Sequence, residues 1–394
     1  MSTAGGRAAA RLARIPPYFF AEMRARVARL RAEGVDVVEL DIGDPDLPTP
    51  RPIVESAVAA LQDPRNHRYP TYGGLAELRA AMAAWYRRRF GVELDPDTQV
   101  LPLLGSKDGI AHLPFAVVDP GDVVLVPDPG YAVYATGALM AGGEPHPMRL
   151  EPERGFAPDL DAVPDAVAAR TRLLWLNYPN NPTAAVAPAG FLDAAVAWCA
   201  ERGILCAHDA PYSEITFDGY RAPSLLQSPG ALEAGIEFHS LSKTYNMTGW
   251  RVGMAVGGAF AIALLAQVKS NIDSGIFAVV QRAALTALEE PAEALAARNA
   301  LLSSRQTRLC AAFAALGVEI PRPRATFYLW APVPGDRDSR AFATRLLEGA
   351  AVSVTPGIAF GPGGEGYVRV SLTASDERID EACRRIRDLA GRPA

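Results

Sequence analysis

Ser240-Leu241-Ser242-Lys243-Thr244-Tyr245-Asn246-Met247-Thr248-Gly249-Trp250-Arg251-Val252-Gly253 follows a short apolar run and is itself followed by another. A lysine just past a strand, with hydroxyls at Ser240 and Ser242 and a cation at Arg251, suits two tasks at once. Its amine can form a Schiff base with an aldehyde cofactor while the hydroxyls and the guanidinium hold a phosphate. Arginine fits the phosphate because its planar fork donates two hydrogen bonds together. Taken alone, the same string also suits a surface lysine on a turn.

Outward from this stretch, β-rich runs alternate with amphipathic segments from Arg51 to about Glu289. Val123-Val124-Leu125-Val126, Leu173-Leu174-Trp175-Leu176 and Gly203-Ile204-Leu205-Cys206-Ala207 read as buried strands. Leu75–Phe90 and Phe191–Glu201 read as helices between them. Short apolar strands separated by helices predict an α/β architecture with a mostly parallel sheet. Polar residues lie just after several strands, where ligands bind in such sheets. Beyond Pro291 the texture changes. Helical patterns at Glu293–Leu316, Ser339–Leu347 and Asp376–Leu389 surround strand candidates Thr326–Trp330 and Tyr367–Ser371, which predicts a smaller α+β domain. A helix at about Phe19–Ala32 is expected to pack with it.

The 394 residues, 49% hydrophobic and 21% charged, support a large packed core. A net charge of −5 gives no reason to expect nucleic acid or an anionic membrane as partner. Four scattered cysteines without metal-finger spacing suit reduced thiols in a cytoplasmic protein, and no metal site is expected. Residues 1–14, rich in Ala and Arg, faintly resemble a transit peptide but also suit a frayed arm. No apolar run approaches a membrane span.

Further motifs accompany the lysine. Gly105-Ser106-Lys107-Asp108 opens a predicted helix, where free N–H groups favour a phosphate. Asp128-Pro129-Gly130-Tyr131, Asn181-Pro182-Thr183 and His208-Asp209-Ala210-Pro211-Tyr212 each follow an apolar run. Asp209 just past a strand is an awkward carboxylate unless it is paired. With these motifs in this order, the chain resembles the class I/II aminotransferases of PLP fold type I from end to end. Its phrasing is most similar to the LL-diaminopimelate aminotransferase-like branch.

The resemblance implies a large domain over 48–288 with a mostly parallel seven-stranded sheet flanked by helices. A smaller α+β domain would combine 1–47 with 289–394. It implies pyridoxal 5′-phosphate (PLP) carried on Lys243, which would also serve as general base, with Asp209 at the pyridine nitrogen. Tyr131 would stack on the ring, and Asn181 and Tyr212 would bond its phenolic oxygen. Ser106, Lys107, Ser240, Ser242 and Arg251 would hold the phosphate, with Tyr69 reaching the neighbouring subunit's phosphate in a homodimer. Tyr72 lies close enough in sequence to be confused with Tyr69. Arg369 would anchor the substrate α-carboxylate, while Tyr18, Gly43, Asn181 and Asn271 would contact substrate.

Lys269 is read either as meeting a distal polar group or as a solvated helix residue. Asn-Pro-Thr is followed by Ala184 where the family has glycine. A left-handed backbone is costly there, so the loop is expected to differ slightly in shape. The implied activity is amino transfer from an L-amino acid to a 2-oxo acid by ping-pong kinetics, with LL-diaminopimelate and 2-oxoglutarate favoured. A C–S β-lyase, or a transaminase for alanine, aspartate, methionine or aromatic amino acids, remains open. So does a binding protein that kept the fold, although an intact Lys243 argues against it, and no DNA-binding domain is expected before Tyr18.

Overall fold

Thr171–Asn177 shows how this sequence builds its centre. Leu174 and Leu176 enter one apolar cluster, while Leu173 and Trp175 enter another on the opposite face. An alternation that is apolar on both sides requires a strand covered by helices on both faces. The computed structural model describes residues 8–15, 20–335 and 338–391, with the backbone alone for 20–23.

The strands, in chain order, are β1 (Val38–Glu39), β2 (Val100–Leu103), β3 (Val123–Asp128), β4 (Glu144–Arg149), β5 (Thr171–Asn177) and β6 (Leu205–Asp209). They continue with β7 (Gly235–Ser240), β8 (Gly253–Gly257), β9 (Tyr328–Pro332), β10 (Val352–Ser353), β11 (Thr355–Pro356) and β12 (Tyr367–Ser371). Seven of them form one sheet in the order β2-β8-β7-β6-β5-β3-β4. β3 through β7 pair in parallel, and β8 runs antiparallel to both of its neighbours. The sheet is therefore mostly parallel, as expected. The carboxyl ends of β3, β5, β6 and β7 place Asp128, Asn177, Asp209 and Ser240 along one edge.

A second layer is built from β11-β12-β9 and the β1-β10 pair. Its apolar cluster joins Val38 and Leu40 to Leu309, Leu346, Val370 and Ile386. Helix Asp376–Ala390 is a clear case of local sequence meeting tertiary demand. Ser375 caps it by accepting from the Arg378 N–H, and Asp376 and Glu377 complement the positive end of the helix dipole. Ile379, Ala382, Cys383, Ile386 and Leu389 recur on one buried face. Each large aliphatic side chain buried there contributes about 1.5–3 kcal/mol. Helix Phe20–Ala32 docks on helix Ser339–Ala350 through Val27 against Leu347 and through Arg26, which bonds Thr344 and Glu348. Among the described residues no helix is long and apolar enough to cross a membrane.

Two sequence readings change here. Ala184 does take the left-handed backbone, at φ +58, and is buried. Hydrogen bonds from the Ala184 N–H to the Asn180 carbonyl and from the Asn180 N–H to the Ala185 carbonyl hold it there. The loop thus accepts strain of about 1–2 kcal/mol at Ala184. Lys269 is neither solvated nor at a distal substrate group. It is 1% exposed, and its ammonium donates to Asp273 at 2.7 Å and to Asp108 at 3.3 Å. The ion pairs compensate for burying the charge and tie helix Ala259–Ile272 to helix Ser106–Val117.

Candidate active site

A cavity of about 300 Å³ opens at the carboxyl edge of the large sheet. Its lining includes Gly43, Ser106, Lys107, Tyr131, Asn181, Asp209, Tyr212, Ser240, Ser242, Lys243, Arg251 and Arg369. These residues span more than 300 positions in sequence, and the fold brings them into one place. Tyr69 and Asn271 do not line it. Tyr69 is 90% exposed beside Pro70, Gly275 and Phe277, and Asn271 donates to the Gln267 carbonyl on its own helix. Tyr18 lies outside the described residues.

One end of the cavity is an anion cradle. Helix Ser106–Val117 starts there, after Gly105 at φ +79. Gly105 has a second reason to lack a side chain, because a Cβ would sit 2.2 Å from Arg251 Nη2. Arg251 is held by its own left-handed backbone, at φ +55, and donates to the Thr248 carbonyl at 2.8 Å. Its Nη1 also lies 3.4 Å from Ser242 Oγ. A helix N-terminus, two serine hydroxyls and a guanidinium together suit a dianion.

Asp209 supplies the second feature. Its Oδ2 accepts from Tyr134 at 2.7 Å, whereas its buried Oδ1 has no hydrogen-bond partner. Burial pushes the carboxyl up to about 6, opposed chiefly by the Tyr134 hydrogen bond. An open buried oxygen beside a cavity calls for a donor from whatever fills it. Asn177 fixes the surroundings, donating to the Asp209 carbonyl and accepting from the Asn181 N–H.

Lys243 lies on the short helical turn Leu241–Thr244 that follows β7. Its amine donates to the Gly43 carbonyl at 3.0 Å. Burial, reinforced by the charges of Arg251 and Arg369 and opposed by Asp44, lowers its pKa to about 8. The amine therefore loses its proton far more readily than an ordinary lysine, as a nucleophile or base requires. Gly43 is dictated by packing, because a Cβ would overlap the Tyr328 hydroxyl. That hydroxyl lies 3.3 Å from Tyr212.

Arg369 forms the second cationic feature. It donates to Asn181 Oδ1 and to the Asp41 carbonyl, each at 2.8 Å. Its guanidinium lies between the rings of Tyr328, at 4.2 Å, and Phe360, at 4.7 Å. Such clamping fixes the direction in which the fork presents itself to a carboxylate.

Sequence reading missed Tyr134, Asn177, Tyr328, Phe360 and Arg24, all of which line the cavity. Tyr134 follows the quoted Asp-Pro-Gly-Tyr motif by three residues, and Asn177 opens the turn-rich run after β5, so a signal existed for both. Beneath the site, Glu237 is fully buried and accepts from Tyr86 at 2.6 Å and from the Leu225 N–H at 2.6 Å. It also pairs with His239 Nε2 and with His208 Nδ1. Because the Tyr178 N–H donates to His208 Nε2, the hydrogen of that ring sits on Nδ1 and points at Glu237. Burial works to raise the Glu237 pKa, but the two histidines outweigh it and hold it well below the usual carboxylate range.

Residues 35–386 match the family model described as aminotransferase class I and II. The chain is 53% identical over 384 residues to an LL-diaminopimelate aminotransferase of Desulforudis audaxviator, covering 98% of each chain. It is 51% identical over 384 residues to the enzyme of the same name from Moorella thermoacetica, again covering 98% of each. Among solved structures, substrate-bound BacF from Bacillus subtilis superposes with a TM-score of 0.93 at 35% identity, covering 98% of each chain.

Proposed function

The chain belongs to the class I and II aminotransferases, and from that premise we propose that it moves the amino group of LL-diaminopimelate to 2-oxoglutarate with PLP held at Lys243. The observation that carries the cofactor assignment is the open Oδ1 of buried Asp209 in the same cavity as a lysine of lowered pKa. The residues present fit PLP. Ser106, Lys107, Ser240, Ser242 and Arg251 would hold its phosphate, Tyr131 would pack on its ring, and Asp209 would face the ring nitrogen. Asn181 and Tyr212 would meet the phenolic oxygen, and Lys243 the aldehyde carbon. Bound there, the cofactor supplies an aldehyde for the donor's amino group and a ring that withdraws electrons from Cα.

The protein's own groups do the rest. Arg369 takes the donor's α-carboxylate in its fork and so orients the Cα–H bond. Lys243, neutral above about pH 8, would take the proton from Cα and return it two bonds away, across the nitrogen, at the carbon that the aldehyde supplies. Tyr328 and Phe360 hold Arg369 and wall that side of the cavity from water. Arg24, on helix Phe20–Ala32, is a further cation lining the cavity. We assign it to the distal carboxylate of the donor, and relatives named for LL-diaminopimelate support that substrate.

We also read the chain as a homodimer. The exposed Tyr69, Tyr72, Phe277 and Ile272 support a face covered by a second copy, with Tyr69 reaching its phosphate. Val38 and Leu40 share an apolar cluster drawn mostly from residues 309–389, with Ala184, Tyr212, Ile215 and Phe217 at its edge, and this supports one unit over 48–288 and another from 1–47 with 289–394. Four free cysteines suit a cytoplasmic setting. The test is a donor panel with 2-oxoglutarate: LL-diaminopimelate, its meso isomer, lysine, alanine, aspartate, methionine and phenylalanine. LL-diaminopimelate should lead, and Arg24→Ala should cost it about tenfold in kcat/KM, within the range for one charged hydrogen bond, while sparing alanine. Equal loss for alanine would remove Arg24 from substrate selection.

A further inference from the structure

We propose that Asp128 is a positioning residue for the carboxylate anchor, clasping the segment that carries Phe360 and so holding Arg369 in its productive orientation. The proposal rests on Arg369 being the anchor, as above. Asp128 ends β3 and lies three residues before Tyr131. Its Oδ1 accepts from the Gly363 N–H at 2.7 Å. Alongside, the Gly130 N–H donates to the Phe360 carbonyl at 2.9 Å. Asp128 is 7% exposed, and its other oxygen lies 3.3 Å from Arg149 Nη1.

The glycines show how closely the two segments approach. A Cβ on Gly361 would sit 2.4 Å from Asp128 Oδ1, and one on Gly363 would sit 2.4 Å from the Asp128 carbonyl oxygen. Gly361 also has φ +119, a backbone that side chains rarely adopt. A side chain at either position would therefore push the segments apart. The segment so held ends against the site, because the Arg369 guanidinium lies over the Phe360 ring at 4.7 Å as well as over the Tyr328 ring at 4.2 Å. Arg369 comes from the other layer, on β12. One carboxylate at the end of β3 thus holds the segment that carries Phe360. Losing it should loosen the guanidinium without touching the cofactor cradle or Lys243.

The signature is a split between KM and kcat, measured on holoenzyme with LL-diaminopimelate and 2-oxoglutarate. Asp128→Ala should raise KM for both substrates about tenfold, the scale of one lost hydrogen bond to a charged group, with kcat changed less than about threefold. It should weaken binding of glutarate, an unreactive carboxylate, by a similar factor and leave the PLP dissociation constant unchanged. Asp128→Asn keeps the acceptor and should recover most of the loss. Gly363→Ala, which leaves Asp128 in place, should reproduce the KM signature should Asp128→Ala not fold. In an Arg369→Ala background, Asp128→Ala should add less than about twofold, because it acts through Arg369. An equal fall in kcat, a matching loss of PLP affinity, or full additivity with Arg369→Ala would overturn the clasp. Unchanged glutarate binding in Arg369→Ala alone would instead overturn the anchor assignment, so the two failures are distinguishable.

Discussion

Lowering the pH of protein stripped of its cofactor should slow capture of PLP far less than an ordinary lysine would allow. Only the neutral amine attacks an aldehyde. Lys243 has its pKa lowered from 10.5 to about 8, chiefly by burial and then by the Arg251 and Arg369 charges. At pH 7 about one molecule in 11 therefore carries the neutral amine, against roughly one in 3,000 for an unperturbed lysine, about a 300-fold advantage. A lower pKa also makes an amine a weaker nucleophile. The exponent of about 0.4–0.5 known for thiolates returns roughly tenfold, leaving a net gain of about 30-fold. Rapid mixing of stripped protein with PLP, followed by absorbance between pH 6 and 10, reads the rate directly. It should climb about tenfold per pH unit at first and level off near 8. A rate still climbing at pH 9.5, as an amine of pKa 10.5 requires, would refute the argument that burial and two guanidiniums prepare this lysine.

Arg369→Lys keeps the charge but loses the fork and the stacking between Tyr328 and Phe360. With about 1.5–3 kcal/mol for one lost charged hydrogen bond, kcat/KM should fall about 10- to 100-fold, and steady-state kinetics with LL-diaminopimelate checks it. Glu237→Gln removes the carboxylate that its two histidines hold below the usual range, and urea unfolding near pH 7 should show a loss of about 3 kcal/mol. The sign follows from the depressed folded pKa. The stability Glu237 contributes is complete above its ordinary value of 4.5 and is lost as pH falls from there toward the folded value. Stability of the parent protein should thus drop more steeply than that of Glu237→Gln between pH 5 and 3, and parallel curves would count against a charged Glu237.

Much of the fold was legible because its signals are local. β5 and β12 announce themselves as apolar or alternating runs, and Tyr367–Ser371 is a strand as read. The grouping of the cavity's residues was legible for a related reason: most of them come from short motifs placed directly after a strand. What escaped depends on contacts between distant segments. Lys269 lies 161 positions from Asp108, and nothing in its own neighbourhood reveals that it is buried against that carboxylate. Tyr328 and Phe360 look like ordinary core aromatics until β9, β12 and the segment after β11 are paired and the guanidinium of Arg369 comes to rest between them. β1 and β10 are two residues each and carry no periodicity at all. Ala184 escaped differently, since the left-handed cost was recognised but not the two backbone bonds that offset it.

An aminotransferase with this cavity should take an amino group from LL-diaminopimelate, keep it, and pass it on. The most direct measurement adds LL-diaminopimelate to the holoenzyme without any oxo acid, then supplies 2-oxoglutarate to the re-isolated protein. The holoenzyme should retain one amino group per site, release no free ammonia, and yield one equivalent of glutamate on the second addition, with Lys243→Ala inert in both steps. Ammonia released in the first step would instead mark a lyase, and a protein that stays unchanged with LL-diaminopimelate while another amino acid loads it would rule out LL-diaminopimelate as the donor.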